Sequence, residues 1–167
     1  RLQTLSHEGA VGGAAWNETE SQLLTWSNDG TVGVWDAASG KELLTLQGHG
    51  DAVKAVAFSP DGQRILTGSW DRTAKVWEVV MGEGLLPLPG HTNRIRSMAF
   101  SPDGQRIVTG SEDKSAKVWE AANGLQLLTL KAHTAGIGAV AFSQDGQRIV
   151  TGGDDQMARV WETASGR

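Results

Sequence analysis

The sequence predicts an all-β fold built from four copies of one unit, and three observations support this class. Histidine recurs every 42 residues, at His7, His49, His91 and His133. A tryptophan followed by an acidic residue recurs with the same step, and the residues between these landmarks align without a gap. Glycine, which tolerates the backbone of tight turns, supplies 22 of the 167 residues, roughly twice its average share. A fixed period of this length is typical of architectures in which repeated units stack side by side.

Each unit is predicted to contain four short strands, and the second copy illustrates them. Short apolar or β-branched runs are separated by turn sequences such as Ser-Pro-Asp-Gly. The predicted strands of this copy span residues 53–58, 65–69, 73–78 and 85–88. Because no window shows a sustained helical period, the domain is predicted to be nearly all-β.

Composition excludes several classes of function. The net charge is −4, so there is no basic excess that would favour nucleic acid or an anionic membrane. The sequence has no cysteine, which excludes disulfides and thiolate chemistry and fits a cytoplasmic location. The first ten residues lack the apolar core of a signal peptide. The start at Arg1 indicates a trimmed chain, which leaves open an earlier targeting segment.

Three features of each unit resemble the WD-repeat family. A Gly-His or similar pair precedes the first strand, an Asp such as Asp71 occupies the turn before the third strand, and Trp77-Glu78 ends that strand. The resemblance covers the whole chain and implies a β-propeller, a toroid of four-stranded antiparallel blades. The near-identity of the copies also resembles bacterial, especially cyanobacterial, propellers that form the sensor half of longer regulatory proteins.

The resemblance implies one propeller domain over residues 1–167. The repeats are predicted at approximately 7–46, 49–88, 91–130 and 133–167, with residues 1–6 as a strand that closes a blade. Family rings have seven or eight blades, whereas this sequence encodes four. A homodimer in which each chain donates its first strand to the other gives eight blades without an open edge. A strained four-bladed closure and an open arc are the alternatives.

Each copy carries a His, a Thr, an Asp and a Trp at fixed spacing. The four sets are His7, Thr25, Asp29 and Trp35 in the first copy, His49, Thr67, Asp71 and Trp77 in the second, His91, Thr109, Asp113 and Trp119 in the third, and His133, Thr151, Asp155 and Trp161 in the fourth. A hydroxyl, an imidazole and a carboxylate together suggest a catalytic triad. The resemblance instead implies a buried structural hydrogen-bond chain, and a set that occurs four times is unlike a unique active site.

We therefore predict no enzymatic activity for this sequence. No cofactor is expected either. No metal is expected, because one histidine per blade leaves these ligands far apart around the ring.

Positions that differ between copies are the candidate ligand contacts. In the family, three positions per blade face one end of the ring: the third and fifth after the histidine, and the one before the turn aspartate. The binding candidates at these positions are Trp70, Lys54, Arg94, Arg96, Glu112, Asn28 and Asp154. Trp70 is the leading anchor, since tryptophan is enriched in binding hot spots. Alternatively, Trp70 packs under a loop and Arg94 pairs with Glu112.

The sequence predicts a non-catalytic scaffold that binds peptide or protein ligands on the end face of a propeller. In one version of this hypothesis the chain is the sensor part of a larger regulatory protein. The alternative is a self-assembling structural repeat module, natural or engineered, without a specific ligand. The location of Trp26, which replaces a glycine of the other copies, is open between the central channel and a blade interface.

Overall fold

A computed structural model describes residues 4–79 and 84–167 of the chain. Half of the predicted closing strand, residues 1–3, lies outside this range. Thr4, Leu5 and Ser6 are described and belong to no strand. The described residues contain no helix, so the prediction of an all-β fold is confirmed.

Fifteen strands account for the regular structure of the described residues. They are β1 (Val11–Trp16), β2 (Gln22–Ser27), β3 (Val32–Asp36), β4 (Glu42–Leu46), β5 (Val53–Phe58), β6 (Arg64–Ser69), β7 (Ala74–Glu78), β8 (Gly84–Leu88), β9 (Ile95–Phe100), β10 (Arg106–Ser111), β11 (Ala116–Glu120), β12 (Gln126–Leu130), β13 (Ile137–Phe142), β14 (Arg148–Gly153) and β15 (Ala158–Glu162).

The strands form four antiparallel meanders, one for each sequence copy. Three sheets have four strands, in the orders β1-β2-β3-β4, β5-β6-β7-β8 and β9-β10-β11-β12. The last sheet consists of β13, β14 and β15 within the described part of the chain. The first strands of consecutive sheets adjoin one another in chain order, which is the arrangement of blades in a β-propeller.

The hydrophobic core is divided among the boundaries between blades. Each of three apolar clusters joins the middle strands of one blade to the first strands of the next. Between the first and second blades, for example, Leu24 and Val34 pack in one cluster with Val53 and Ile65. Each blade therefore buries its apolar faces only against its neighbours, as expected for a repeat protein.

Trp26 lies at the boundary between the first and second blades. It pairs across strands with Gly13, and a Cβ atom on Gly13 would come within 2.2 Å of its ring. The ring also packs against the cluster that contains Val53. The corresponding residue of the second blade, Gly68, is approached instead by Ile95 of the next blade. The blade interface is thus the location of Trp26.

Candidate functional site

One end of the blades carries both the regularly spaced network and the variable positions. In each antiparallel meander the turn between the second and third strands lies at the same end as the connection to the next blade. The turn aspartates and the histidines are on these two segments, so the strand order brings them together. We call this end the His-Asp end.

In the second blade the His, Thr, Asp and Trp side chains form one hydrogen-bond chain. The distance from His49 Nδ1 to Asp71 Oδ2 is 2.8 Å, and that from His49 Nε2 to Thr67 Oγ1 is 2.7 Å. The indole Nε1–H of Trp77 donates to Thr67 Oγ1 over 2.8 Å. A chain of this kind ties the inter-blade connection to the second and third strands.

The protonation states of this chain follow from its surroundings. Burial lowers the pKa of His49 and outweighs the opposing hydrogen bond and charge of Asp71. Burial raises the pKa of Asp71, but hydrogen bonds from Thr73 and His49 outweigh it and hold that pKa below its usual value. A neutral imidazole then donates from Nδ1 to the carboxylate and accepts the Thr67 hydroxyl proton at Nε2. Every donor of the chain has an acceptor.

All four blades share two contacts of the network, the bond from the indole to threonine and the contact between histidine Nε2 and the same threonine hydroxyl. In the first blade Trp35 Nε1 donates to Thr25 Oγ1 over 2.7 Å, and His7 Nε2 lies 2.7 Å from the same hydroxyl. The equivalent donors of the last two blades bind over 2.9 Å, Trp119 to Thr109 and Trp161 to Thr151. All four predicted sets are therefore brought together, and their stabilising role stays a prediction that substitution can test.

The bond between histidine and aspartate recurs in the third and fourth blades with small variations. His91 lies 2.7 Å from Asp113, and His133 lies 2.8 Å from Asp155. In the fourth blade Arg159 adds a further donor, 3.0 Å from Asp155 Oδ2. Sequence reasoning missed this arginine contact, because the equivalent residues of the second and third blades are lysines.

The first blade departs from this geometry at its aspartate. His7 Nδ1 is 3.9 Å from Asp29 and instead lies 3.1 Å from the hydroxyl of Thr31. Burial raises the pKa of Asp29, yet hydrogen bonds led by those of Thr31 lower it to about 2. A cavity of about 640 Å³ lies beside this blade's network, and its lining includes Glu8 and Glu42. The network of the first blade thus differs from those of the other three at its aspartate.

The buried hydroxyls argue against nucleophilic catalysis. Thr67, Thr109 and Thr151 are fully buried, and each already accepts an indole N–H. A nucleophile must reach its substrate, and these oxygen atoms have no path to solvent. In addition, no group of three or more potential metal ligands is found in the ranges 4–79 and 84–167. The arrangement is suited to holding loops in place.

Trp70 lies between two cations that come from different blades. Lys54 Nζ is 4.4 Å from the centroid of its ring, and Arg94 Cζ of the third blade is 4.1 Å from it. Distances of this size are typical of cation–π contacts. Lys54 also donates to Asn28 Oδ1 of the first blade over 2.6 Å. The Asn28, Lys54, Trp70 and Arg94 side chains therefore form a continuous strip across three blades, which we call the Trp70 strip.

The remaining candidates lie beside this strip. Arg96 forms an ion pair with Asp154 of the fourth blade, at 2.6 Å, and its guanidinium lies over Gly138. Glu112 is partly buried, and within the described residues it forms no ion pair with Arg94. Arg94 is exposed and its guanidinium contacts Trp70 instead. The structure thus joins four candidates in one strip and pairs two others at its edge.

The fold and the repeated network define a WD-repeat propeller, and comparison with protein families agrees. The family described as "WD domain, G-beta repeat" matches residues 1–36, 40–78, 82–120 and 124–162. These matches cover most of the chain, so the chain belongs to the WD-repeat family. Proteins of this family generally act as non-catalytic scaffolds for protein interactions.

Curated relatives match a segment about one repeat long. The serine-threonine kinase receptor-associated proteins of Homo sapiens and Bos taurus are 50% identical over 42 residues, which is 25% of this chain and 12% of the relative. The Dictyostelium discoideum protein of the same name is 46% identical over 41 residues, 25% of this chain and 14% of the relative. The matched segment thus spans about an eighth of the length of these relatives. Separately, the described residues contain no helix able to span a membrane.

Proposed function

We propose that residues 1–167 form one non-catalytic propeller unit that binds a peptide or protein ligand at its His-Asp end. The observation that carries this proposal is the Trp70 strip. It presents a partly exposed indole and an exposed guanidinium on a frame of buried hydrogen bonds. Aromatic and arginine side chains dominate binding hot spots, and a rigid frame lowers the entropy lost on binding.

The charge of the strip indicates the ligand. Lys54 and Arg94 flank the indole, and Arg96 lies nearby although it is paired with Asp154. An acidic peptide that carries an aromatic residue meets both a cationic rim and a ring surface. The net charge of −4 disfavours nucleic acid and anionic membranes as partners. The absence of cysteine supports a cytoplasmic location.

A displayed library of random 12-residue peptides, selected on the immobilised chain, tests the end-face site. We expect selected peptides to be enriched in acidic and aromatic residues and to lose about 30-fold or more in affinity for Trp70→Ala, the loss typical of a hot spot. The control is Leu127→Ala, because Leu127 is an exposed apolar residue of an outer strand. Peptides that bind both variants equally well would place the ligand elsewhere.

We further propose that two chains complete an eight-bladed ring, each donating its residues 1–6 as the outer strand of the partner's last blade. The support is the three-stranded last sheet, whose outer strand β15 has a free edge among the described residues. Light scattering after size exclusion measures the mass directly. A value near twice 17.7 kDa agrees with the ring, and a value near 17.7 kDa at all concentrations contradicts it.

The alternative function is a self-assembling structural repeat module without a specific ligand. The uniform 42-residue spacing without insertions favours it. Failure of the peptide selection together with a stable dimer would support the module, whereas selected ligands dependent on Trp70 support the scaffold. The sensor part of a larger regulatory protein is a version of the scaffold, and its ligand would then control another domain.

A further inference from the structure

The two terminal blades expose apolar residues whose equivalents are buried or partly buried in the other blades. On the last blade, Val150 is 42% exposed and Val160 is 63% exposed, whereas the equivalents of Val160 in the other blades are buried. On the first blade, Val11 is 52% exposed and Trp16 is 57% exposed. The fully buried equivalents of Val11 are Val53, Ile95 and Ile137.

These exposed residues belong to two different faces that match each other. At every internal boundary the face equivalent to Val150 and Val160 packs against the face equivalent to Val11 and Trp16. Between the third and fourth blades, for instance, Val108 and Val118 pack with Ile137 and Phe142. The face of the last blade that carries Val150 and Val160, which we call the last face, is therefore complementary to the face of the first blade that carries Val11 and Trp16, which we call the first face. The two faces lie at opposite ends of the row of blades.

An arginine bridge crosses the boundary between the second and third blades. Arg64 of the second blade donates to the carbonyl oxygen of Ala121 over 2.9 Å and to that of Gly104 over 3.2 Å, both in the third blade. Its guanidinium also lies 5.7 Å from the ring centroid of Phe100. The arginine thus enters a recess made of one aromatic ring and two backbone carbonyls.

The first blade carries an open recess of the same kind. A cavity of about 310 Å³ is lined by Trp16, Glu20 and Ala37, among others. By the 42-residue period these three residues correspond to Phe100, Gly104 and Ala121. The residue that corresponds to Arg64 on the opposite face is Arg148, which is exposed and donates no side-chain hydrogen bond within the described residues.

A second boundary contact, between a proline and a glycine turn, has different residues at both of its positions on the open faces. At two internal boundaries a proline of one blade faces a glycine turn of the next, since Pro60 lies beside Gly104 and Pro102 beside Gly146. The equivalent residues on the two open faces are Gln144 and Glu20. An amide and a carboxylate can form a hydrogen bond where proline and glycine only touch. The two open faces thus differ from the internal boundaries in matching positions.

We propose that the last face of one chain docks onto the first face of a second copy, with Arg148 entering the recess beside Trp16. We call this contact between the last face and the first face the seam. It rests on the proposed two-chain ring and specifies its interface. Arg148 donates to the carbonyl oxygens of Ala37 and Glu20 of the second copy and stacks on its Trp16 ring. The pairing is head to tail, because the two faces are different surfaces.

Single-face variants test the seam by sedimentation equilibrium. Val160→Asp breaks only the last face and Trp16→Asp breaks only the first. Both residues are exposed in the single chain, so each variant should retain its fold, which circular dichroism checks. We expect each variant alone to dimerise with a Kd about 30-fold higher or more, as for a hot-spot loss. An equimolar mixture should regain dimers, because the first face of one variant and the last face of the other are both intact.

Controls separate the seam from other modes of association. Leu43→Asp alters an equally exposed leucine of the outer strand β4 and should dimerise like the original chain. Arg148→Gln should raise the Kd about 10-fold through loss of charged hydrogen bonds, whereas Arg72→Gln, at the His-Asp end, should not.

Three outcomes would overturn the seam. A mixture that stays monomeric excludes head-to-tail pairing, and unchanged dimerisation of Val160→Asp excludes the last face, although strand exchange then still supports the ring. A monomeric original chain removes both the seam and the ring. In each case peptide binding by the Trp70 strip is measured separately, so failure of the end-face proposal remains distinguishable.

Discussion

The threonine hydroxyl is the junction of each His-Asp network. In the second blade Thr67 Oγ1 accepts the indole N–H of Trp77, and the Thr67 hydroxyl donates its proton to His49 Nε2 over 2.7 Å. One buried atom therefore satisfies two ring nitrogens that have no access to water. Removing any member leaves buried partners without hydrogen bonds, and such groups destabilise a fold more than an average hydrogen bond stabilises it.

Asp71→Ala tests the structural role of the network. The substitution leaves His49 Nδ1 and the backbone N–H of Gly50 without their acceptor, so we expect the free energy of unfolding to fall by about 1–3 kcal/mol. Urea denaturation measures this change. Asp51→Ala, at an exposed carboxylate outside the network, should change the same quantity by less than about 0.5 kcal/mol. An unaltered midpoint for Asp71→Ala would contradict the structural role.

The lowered histidine pKa values predict acid sensitivity. Burial lowers the pKa of His49 and of His91 from 6.5, so the unfolded chain binds protons at these sites more readily than the folded chain. The contribution of these histidines to the free energy of unfolding is then fully present above pH 6.5, and it declines as the pH falls below that value. The lowered pKa values of Asp71 and Asp113 add a further loss below about pH 4.

Thermal melts between pH 8 and pH 4.5 measure this dependence. We expect the Tm to be constant from pH 8 to about 7 and to decrease steadily at lower pH. Replacing one network histidine, as in His49→Gln, should lower the Tm at pH 8 and flatten its decrease. A Tm that does not change between pH 7.5 and pH 5 would show that these histidines titrate alike in the folded and unfolded chains.

Among the strands, β1 and β2 show how the first repeat, which differs in sequence from the others, still packs closely against the next blade. The cross-strand pair is Ala55 with Gly68 in the second blade and Gly13 with Trp26 in the first. The larger residue of the pair is thus on the second strand in the first blade and on the first strand in the second blade. The residue of the next blade that packs here is Val53 at the first boundary and the larger Ile95 at the second. The indole fills the space that the smaller neighbour leaves, which keeps the boundary close-packed.

A double-mutant cycle on this pair measures the compensation. Gly13→Ala alone should destabilise the fold by about 1–3 kcal/mol, because the new methyl group overlaps the Trp26 ring. Adding Trp26→Gly restores the pair found in the second blade and should recover part of that loss. Additive free energies in urea denaturation would mean that the two residues do not interact.

For the whole molecule, the three inter-blade clusters make stability a sum over boundaries. Equivalent residues then have different importance according to their blade. Val118→Ala removes fully buried methyl groups and should lower the free energy of unfolding by about 1–3 kcal/mol. Val160→Ala should lower it by less than about 0.5 kcal/mol at protein concentrations where the chain is monomeric. Equal losses in calorimetry would show that the last face is covered within a single chain.

Much of the fold was predictable from the sequence, and the reason lies in repetition. The 42-residue period with its turn signals predicted four β-meanders, and the strands 53–58, 65–69, 73–78 and 85–88 agree with β5 to β8 within one residue at either end. Identical residues at equivalent positions of different blades, however, can differ in burial, and the sequence does not show this. Val118 and Val160 are indistinguishable by sequence pattern, yet one is buried and the other exposed.

The candidate site was predictable in part. Position within the repeat selects the residues of the Trp70 strip, and their ligand-binding role stays a prediction. The stacking of Arg94 on Trp70, rather than pairing with Glu112, depends on the spacing of adjacent blades, which a single repeat does not encode. Arg148 does not stand out in the sequence, because Arg64 and Arg106 repeat it and repetition indicates scaffold.

All four meanders place their His-Asp networks at the same end, and this has a consequence for avidity. A head-to-tail ring of two chains would therefore carry both Trp70 strips on one side of the ring, half a turn apart. A partner with two recognition segments joined by a short flexible linker then meets the second strip at a millimolar effective concentration. Such a ring would therefore prefer tandem or clustered targets to isolated ones.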